Sequence, residues 1–167
     1  KIKLKKKDNY KGKMLLIGDL VKDVTLNQLE FIQLWRKKFN PEIKIIFRPH
    51  PSAKVKDYSK YSFLSFSRNS LIQDINNCDI FVVNNTTSAA ADIYALGLPL
   101  ITYNDLERIN FSPILGNPNS ITAENIDDFQ QSFQKLRKLK LKPNDYFHIN
   151  KEIPMWKKLL EKVLRNE

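Results

Sequence analysis

At 167 residues with 42% hydrophobic content, the chain is long enough to bury a core and fits one domain or one half of a larger two-domain protein. Its single cysteine, Cys78, excludes an internal disulfide framework, and no apolar run is long enough to cross a bilayer; with no signal peptide visible, a reducing cytoplasm is the expected location. The net charge of +10 is uneven: residues 1–13 hold seven Lys against one Asp, residues 135–167 hold ten Lys or Arg against four acids, and the middle is close to neutral.

A nucleic-acid reader carries its basic stripe on the folded face that does the reading, so charge gathered at the two ends excludes nucleic acid as the expected partner. Basic ends suit plain solvation, an acidic partner, or an anionic membrane surface at the inner face. Residues 1–13 read as a basic linker or domain boundary. Residues 14–167 read as one Rossmann-like domain, and the charged, Met-less opening suggests a fragment of a larger protein.

Taken in order, the apolar run 14–17 predicts a first strand, ending at Gly18, where a backbone could approach a ligand closely. Residues 25–39 predict a helix, with Thr25 and Gln28 as a capping box and Leu26, Leu29, Phe31, Ile32, Leu34 and Trp35 as its apolar stripe. Asn40-Pro41 ends it. Residues 43–47 predict a second strand, which runs into Arg48-Pro49-His50-Pro51-Ser52. Two prolines stiffen that loop around one imidazole, and Arg48 adds a fork suited to phosphate.

Residues 61–66 predict a third strand at an edge. Ser70 and Gln73 form a second capping box, with Leu71, Ile72 and Ile75 facing inward. Cys78 reads as a packed small hydrophobe. The β-branched run 80–83 predicts a strand covered on both faces. Asn84, Asn85, Thr86 and Thr87 break it, Thr87 or Ser88 caps an Ala-rich helix to about residue 96, and Gly97 and Pro99 stop that helix. Residues 100–103 predict the next strand. Residues 104–120 form a long polar loop, of a length that is functional or mobile in compact domains. A short strand at Ile121 follows. Then comes a helix from a Thr122 or Asn125 cap to about residue 139, burying Ile126, Phe129, Phe133 and Leu136. Lys142-Pro143-Asn144 breaks the chain, His148 reads as structural, and a last helix covers 155–164 with Pro154 near its first turn.

Strands alternating with helices imply an α/β fold: a Rossmann-like parallel sheet with helices on both faces. Ligands on such sheets bind at the strands' carboxyl ends, and both polar constellations, around His50 and around Thr87, fall there. That coincidence points to a nucleotide or sugar-phosphate site.

With those residues in view, the chain resembles the C-terminal, donor-binding half of a GT-B glycosyltransferase. The likeness is to bacterial surface-carbohydrate enzymes: sialyltransferase-like proteins, polysialyltransferases and glycerophosphotransferases. His50-Pro51 matches their His-Pro motif. Thr87-Ser88 matches their Ser-Ser pair, Asp92 stands where they carry an acid, and Gly97-Leu98-Pro99 matches their Gly-x-Pro turn. The resemblance covers about residues 14–103. It implies a nucleotide-sugar donor, CMP-, CDP- or UDP-linked, with Gly18, Arg48, His50, Thr86, Thr87, Ser88 and Asp92 as the binding set. His50 is the candidate for a catalytic role. Asp92 would reach a ribose or sugar hydroxyl. No Asp-x-Asp metal motif is evident, so metal-independent chemistry without a cofactor is expected. The acceptor and the base would belong to an N-terminal half of the same protein, so turnover by this stretch alone is not expected. Two other readings stay open: half of a nucleotide-sugar epimerase, and a non-catalytic module docking through its basic ends.

Overall fold

The computed structural model describes residues 12–54, 58–117, 120–136 and 154–164. Six strands form one sheet in the order β3-β2-β1-β4-β5-β6, and every pairing is parallel. The strands are β1 (Lys13–Ile17), β2 (Lys44–Arg48), β3 (Leu64–Phe66), β4 (Ile80–Asn84), β5 (Leu100–Tyr103) and β6 (Ile121–Ala123). The helices are α1 (Lys22–Phe39), α2 (Leu71–Asn77), α3 (Ala89–Ala95), α4 (Ile126–Leu136) and α5 (Pro154–Leu164).

The two-residue alternation of a strand sorts the core into two layers. Met14, Leu16, Ile80, Val82 and Ile101 face α1 and α4, where Leu29, Ile32, Trp35, Phe129 and Phe133 close over them. Leu15, Ile17, Phe81, Val83 and Leu100 face the other way and pack with Ile75 of α2 and Ala90 and Ile93 of α3. Both faces of β1 and β4 are therefore apolar, which is why those runs are continuous rather than alternating. Cys78 is wholly buried, packed with Ile75 and Phe81 in the second of these layers.

Several local expectations change. The helix expected at 25–39 begins at Lys22, and Thr25 and Gln28 do not cap it. Asp19 intervenes: its Oδ1 accepts the Val21 N–H at 2.8 Å and turns the chain into α1 one turn early. Thr25 then lies inside the helix, where its Oγ1 accepts the Asp19 N–H at 2.8 Å. Leu34 and Ile72 point outward, at 57% and 48% exposure, because each falls just beyond the narrow stripe its helix buries. In α2 the inward position next to Ile75 belongs to a charged residue, Asp74. The third strand keeps only its last three residues, and Tyr61 buries its ring from a turn.

Other signals hold. Ser70 and Gln73 make a reciprocal capping box on α2. Asn125, rather than Thr122, caps α4, its Oδ1 accepting from the Asp127 and Asp128 N–H groups. Asn40 ends α1 in the left-handed conformation, with its N–H donating to the Arg36 carbonyl. Pro154 opens α5. The basic stretch 1–11, the break at Lys142-Pro143-Asn144, the helix end near residue 139 and His148 lie outside the described residues.

Burial pushes the phenol of Tyr103 above its ordinary 10.0, and the nearby Asp105 and Glu107 carboxylates push it the same way. Burial also raises Tyr61. The unfolded chain therefore loses these protons before the folded one does. Their stabilising contribution is complete below about pH 10 and is lost as pH rises through the folded values. The urea midpoint should hold level from about pH 7 to 9 and fall above about 10, and Tyr103→Phe should lessen that fall.

Candidate functional site

The strand order reverses between β1 and β4, so the turns leaving their carboxyl ends diverge to opposite sides and open a crevice. Three segments meet there: Ile17 and Gly18 at the end of β1, Arg48 to Pro51 at the end of β2, and Thr87 and Ser88 after β4. They enclose a cleft of about 210 Å³ whose lining includes Gly18, Arg48, His50, Thr87, Ser88 and Asp92. His50 and the Thr87–Ser88 pair, far apart in the chain, thus share one wall-to-wall space.

His50 is held by its own loop. Its carbonyl accepts the Ala53 N–H at 2.9 Å, and its Nδ1 accepts the Ser52 N–H at 3.2 Å. With Nδ1 accepting, a neutral ring carries its proton on Nε2 and presents a donor. Ser88 takes the N-cap place of α3, but its backbone is already helical (φ −66°, ψ −20°) and its hydroxyl makes no capping bond. The expected side-chain cap is absent because that helical ψ turns the hydroxyl away from the first-turn N–H groups. The carbonyls of Thr87 and Ser88 instead accept the Ala90 and Ala91 N–H groups. Because α3 has only seven residues, the hydroxyls and the imidazole, rather than a long helix dipole, are the donors the cleft offers an anion. Asp92 lies exposed in the first turn of α3.

Gly18 has a packing reason as well. A Cβ there would meet the Phe47 ring at 3.1 Å and Thr25 Cγ2 at 3.2 Å, so glycine lets the end of β1 settle on that ring.

Two of the expected site residues are committed elsewhere. Arg48 lines the cleft, but its Nη1 donates to the Asn69 carbonyl at 2.5 Å and to Asp74 Oδ2 at 3.0 Å. Asp74 is 1% exposed and also accepts from Ser67 Oγ and Asn69 Nδ2. Thr86 does not line this cleft. Its hydroxyl lies 2.5 Å from Asp19 Oδ2 and 2.9 Å from Asn84 Oδ1, and it faces a second cleft of about 300 Å³ with Val21, Val24, Arg108, Ile109 and Phe111. The Asp19–Thr86 bond spans the switch point and separates the two clefts.

Asp19 and Asp74 escaped the sequence reading. Asp19 had a signal, an acid directly after the glycine that ends a strand. Asp74 also had one, an acid within the apolar stripe of a short helix, which signals a buried partner. The loop at 104–117 is fastened rather than loose: Asn85 Nδ2 donates to Asn104 Oδ1, Asn27 Nδ2 to Asp105 Oδ2, and the Phe111 N–H to the Asn85 carbonyl. Among the described residues no cluster of three or more His, Cys, Asp or Glu is placed to hold a metal ion, and no helix is long and apolar enough to cross a membrane.

A parallel six-stranded sheet, covered by helices on both faces and opened at its switch point, is a Rossmann-like α/β domain. No protein-family model and no curated protein matches the chain. Among solved structures it is similar to TarM, a glycosyltransferase of the GT-B type, with 18% identity and a TM-score of 0.54. The match covers 83% of this chain and 30% of that one, so the chain spans under a third of TarM. At that identity the likeness carries the fold.

Proposed function

We propose that the chain is the nucleotide-sugar-binding domain of a glycosyltransferase that acts in bacterial surface-polysaccharide synthesis. The observation that carries this reading is the single cleft shared by His50, Thr87 and Ser88 at the carboxyl ends of β1, β2 and β4. The His50 Nε2–H and the two hydroxyls hold the donor's phosphate. As the glycosidic bond breaks, negative charge grows on that phosphate, and donors fixed in place strengthen with it. His50 also stands where a proton could be shared with the leaving oxygen. Asp92, at the margin, takes a ribose or sugar hydroxyl. The acceptor and the base that activates it come from the rest of a longer protein, since transfer to an oxygen needs a base within hydrogen-bond reach. The working place is the cytoplasm, and the basic ends suit an anionic bilayer face.

Isothermal titration of the chain with cytidine, uridine and guanosine nucleotides tests this. Binding of one base series in the micromolar to millimolar range is expected. No heat with any nucleotide, at protein concentrations suited to weak binding, would overturn the reading.

A further inference from the structure

Residues 157–164 of α5 are all exposed, and none of them joins either core layer. Leu159, Leu160, Val163 and Leu164 are between 51% and 81% exposed. At 3.6 residues per turn these four gather on one side of the helix, within an arc of about 140°. Lys157 borders that arc beside Leu164, and Lys162 borders it beside Leu159. Lys158 and Glu161 fill the opposite side. A helix of eleven residues is marginal in water by itself, so this apolar side calls for a cover.

The pattern of charge selects the cover. A groove on a partner takes a narrow line of apolar anchors, whereas a bilayer is a plane and takes a broad arc. Lysines at both borders lay their stems along the apolar side and leave their ammonium groups at headgroup level. The one acid, Glu161, stands away from the arc, where it faces water. α5 holds three lysines against that acid, and residues 135–167 hold ten basic residues against four acidic ones. An anionic surface complements such a stretch. No described helix is long and apolar enough to cross a membrane, so α5 lies in the plane of the surface. We propose that α5 is an interfacial helix that seats Leu159, Leu160, Val163 and Leu164 in an anionic bilayer, with Lys157 and Lys162 on the lipid phosphates. The inference deepens the membrane-face part of the reading above by naming the element that engages lipid, and it does not depend on what the cleft binds.

The test is co-sedimentation of the chain with phosphatidylcholine vesicles, with and without phosphatidylglycerol. The chain should bind the anionic vesicles, and the neutral ones about tenfold more weakly or less. The double variant Leu160→Ser/Val163→Ser keeps every charge and should weaken binding to anionic vesicles by about tenfold or more. Leu34→Ser, at a comparably exposed apolar residue of α1, should leave binding unchanged. Should the serines unwind α5, an environment-sensitive dye still reads the face: at Leu164→Cys its emission should shift to the blue with anionic vesicles, and at Glu161→Cys it should not. Binding that survives the double serine variant, or equal dye shifts at the two positions, assigns the contact to the basic ends at large and overturns the role of α5. No vesicle binding, or self-association of the chain through α5 in its place, overturns the inference and the membrane-face reading together. Both outcomes leave the nucleotide titration untouched, so the two readings fail separately.

Discussion

His50→Ala is expected to weaken nucleotide binding by about ten- to a hundredfold, the usual worth of a hydrogen bond to a charged group. The fold should hardly notice. The ring is half-buried, and its hydrogen bond among the described residues, from the Ser52 N–H, only tightens a turn. The melting temperature should therefore stay within about 2 °C of wild type. Ser88→Ala should behave alike, because its hydroxyl caps nothing and its removal leaves α3 intact. The double variant should lose less than the product of the two single losses, since groups that share one anion are coupled. Calorimetric titration gives the affinities and circular dichroism gives the melting temperatures. An unchanged affinity in His50→Ala would remove the imidazole from the site.

Trp35→Ala should do the reverse, costing about 3–5 kcal/mol of stability and leaving the cleft's affinity unchanged in the folded fraction. Trp35 is fully buried. Its ring meets Phe129 at 4.9 Å and Phe133 at 5.2 Å, both edge to face, and its Nε1–H donates to Gln130 Oε1 at 2.8 Å. It therefore joins α1 to α4 through packing and a hydrogen bond together. For a domain of this size the loss corresponds to roughly 6–20 °C in melting temperature. Trp35→Phe keeps most of the packing and should lose less than half as much. The residue sits near the last turn of α1, and no residue of α1 lines the cleft, so affinity and stability separate cleanly. Urea titrations of both variants measure the difference.

Those two residues also mark what could be read from the chain before any coordinates. Trp35 announced itself through spacing, because a helix over a parallel sheet needs apolar residues three and four apart. The strands were legible in a similar way: 14–17 and 80–83 are apolar without interruption and 100–103 is broken only by Thr102, as suits a sheet covered on both faces. His50, Thr87 and Ser88 were legible as groups at strand ends, although their meeting in one cleft needed the order of the strands. Asp19 and Asp74 left only local signals, and the Asn85–Asn104 pairing left none. The bonds of Asp19 to Thr86, of Asp74 to Arg48 and of Asn85 to Asn104 join residues distant in the chain, and a single sequence does not display such pairs. Asp19 also upset the start of α1, since an acid that turns the chain upstream outcompetes a capping pattern inside the helix. Arg48 lines the cleft, but its ion pair was hidden from the sequence. A guanidinium beside a histidine looks ready for phosphate until its carboxylate partner comes into view.

The parallel order has a consequence for how the molecule comes into being. β1 precedes the other five strands in the chain, yet it lies at the middle of the sheet, and its Met14, Leu15 and Leu16 wait for Ile80, Phe81 and Val82 of β4. Until those arrive, the nascent chain carries a bare apolar border along its most hydrophobic strand, with β2 alone on the other side. Distant pairing of this kind is slow, and the interval is open to association with other chains. Chaperones that shield nascent chains would act in that interval, and the finished sheet, with three-residue strands on both outer margins, offers little for another chain to extend.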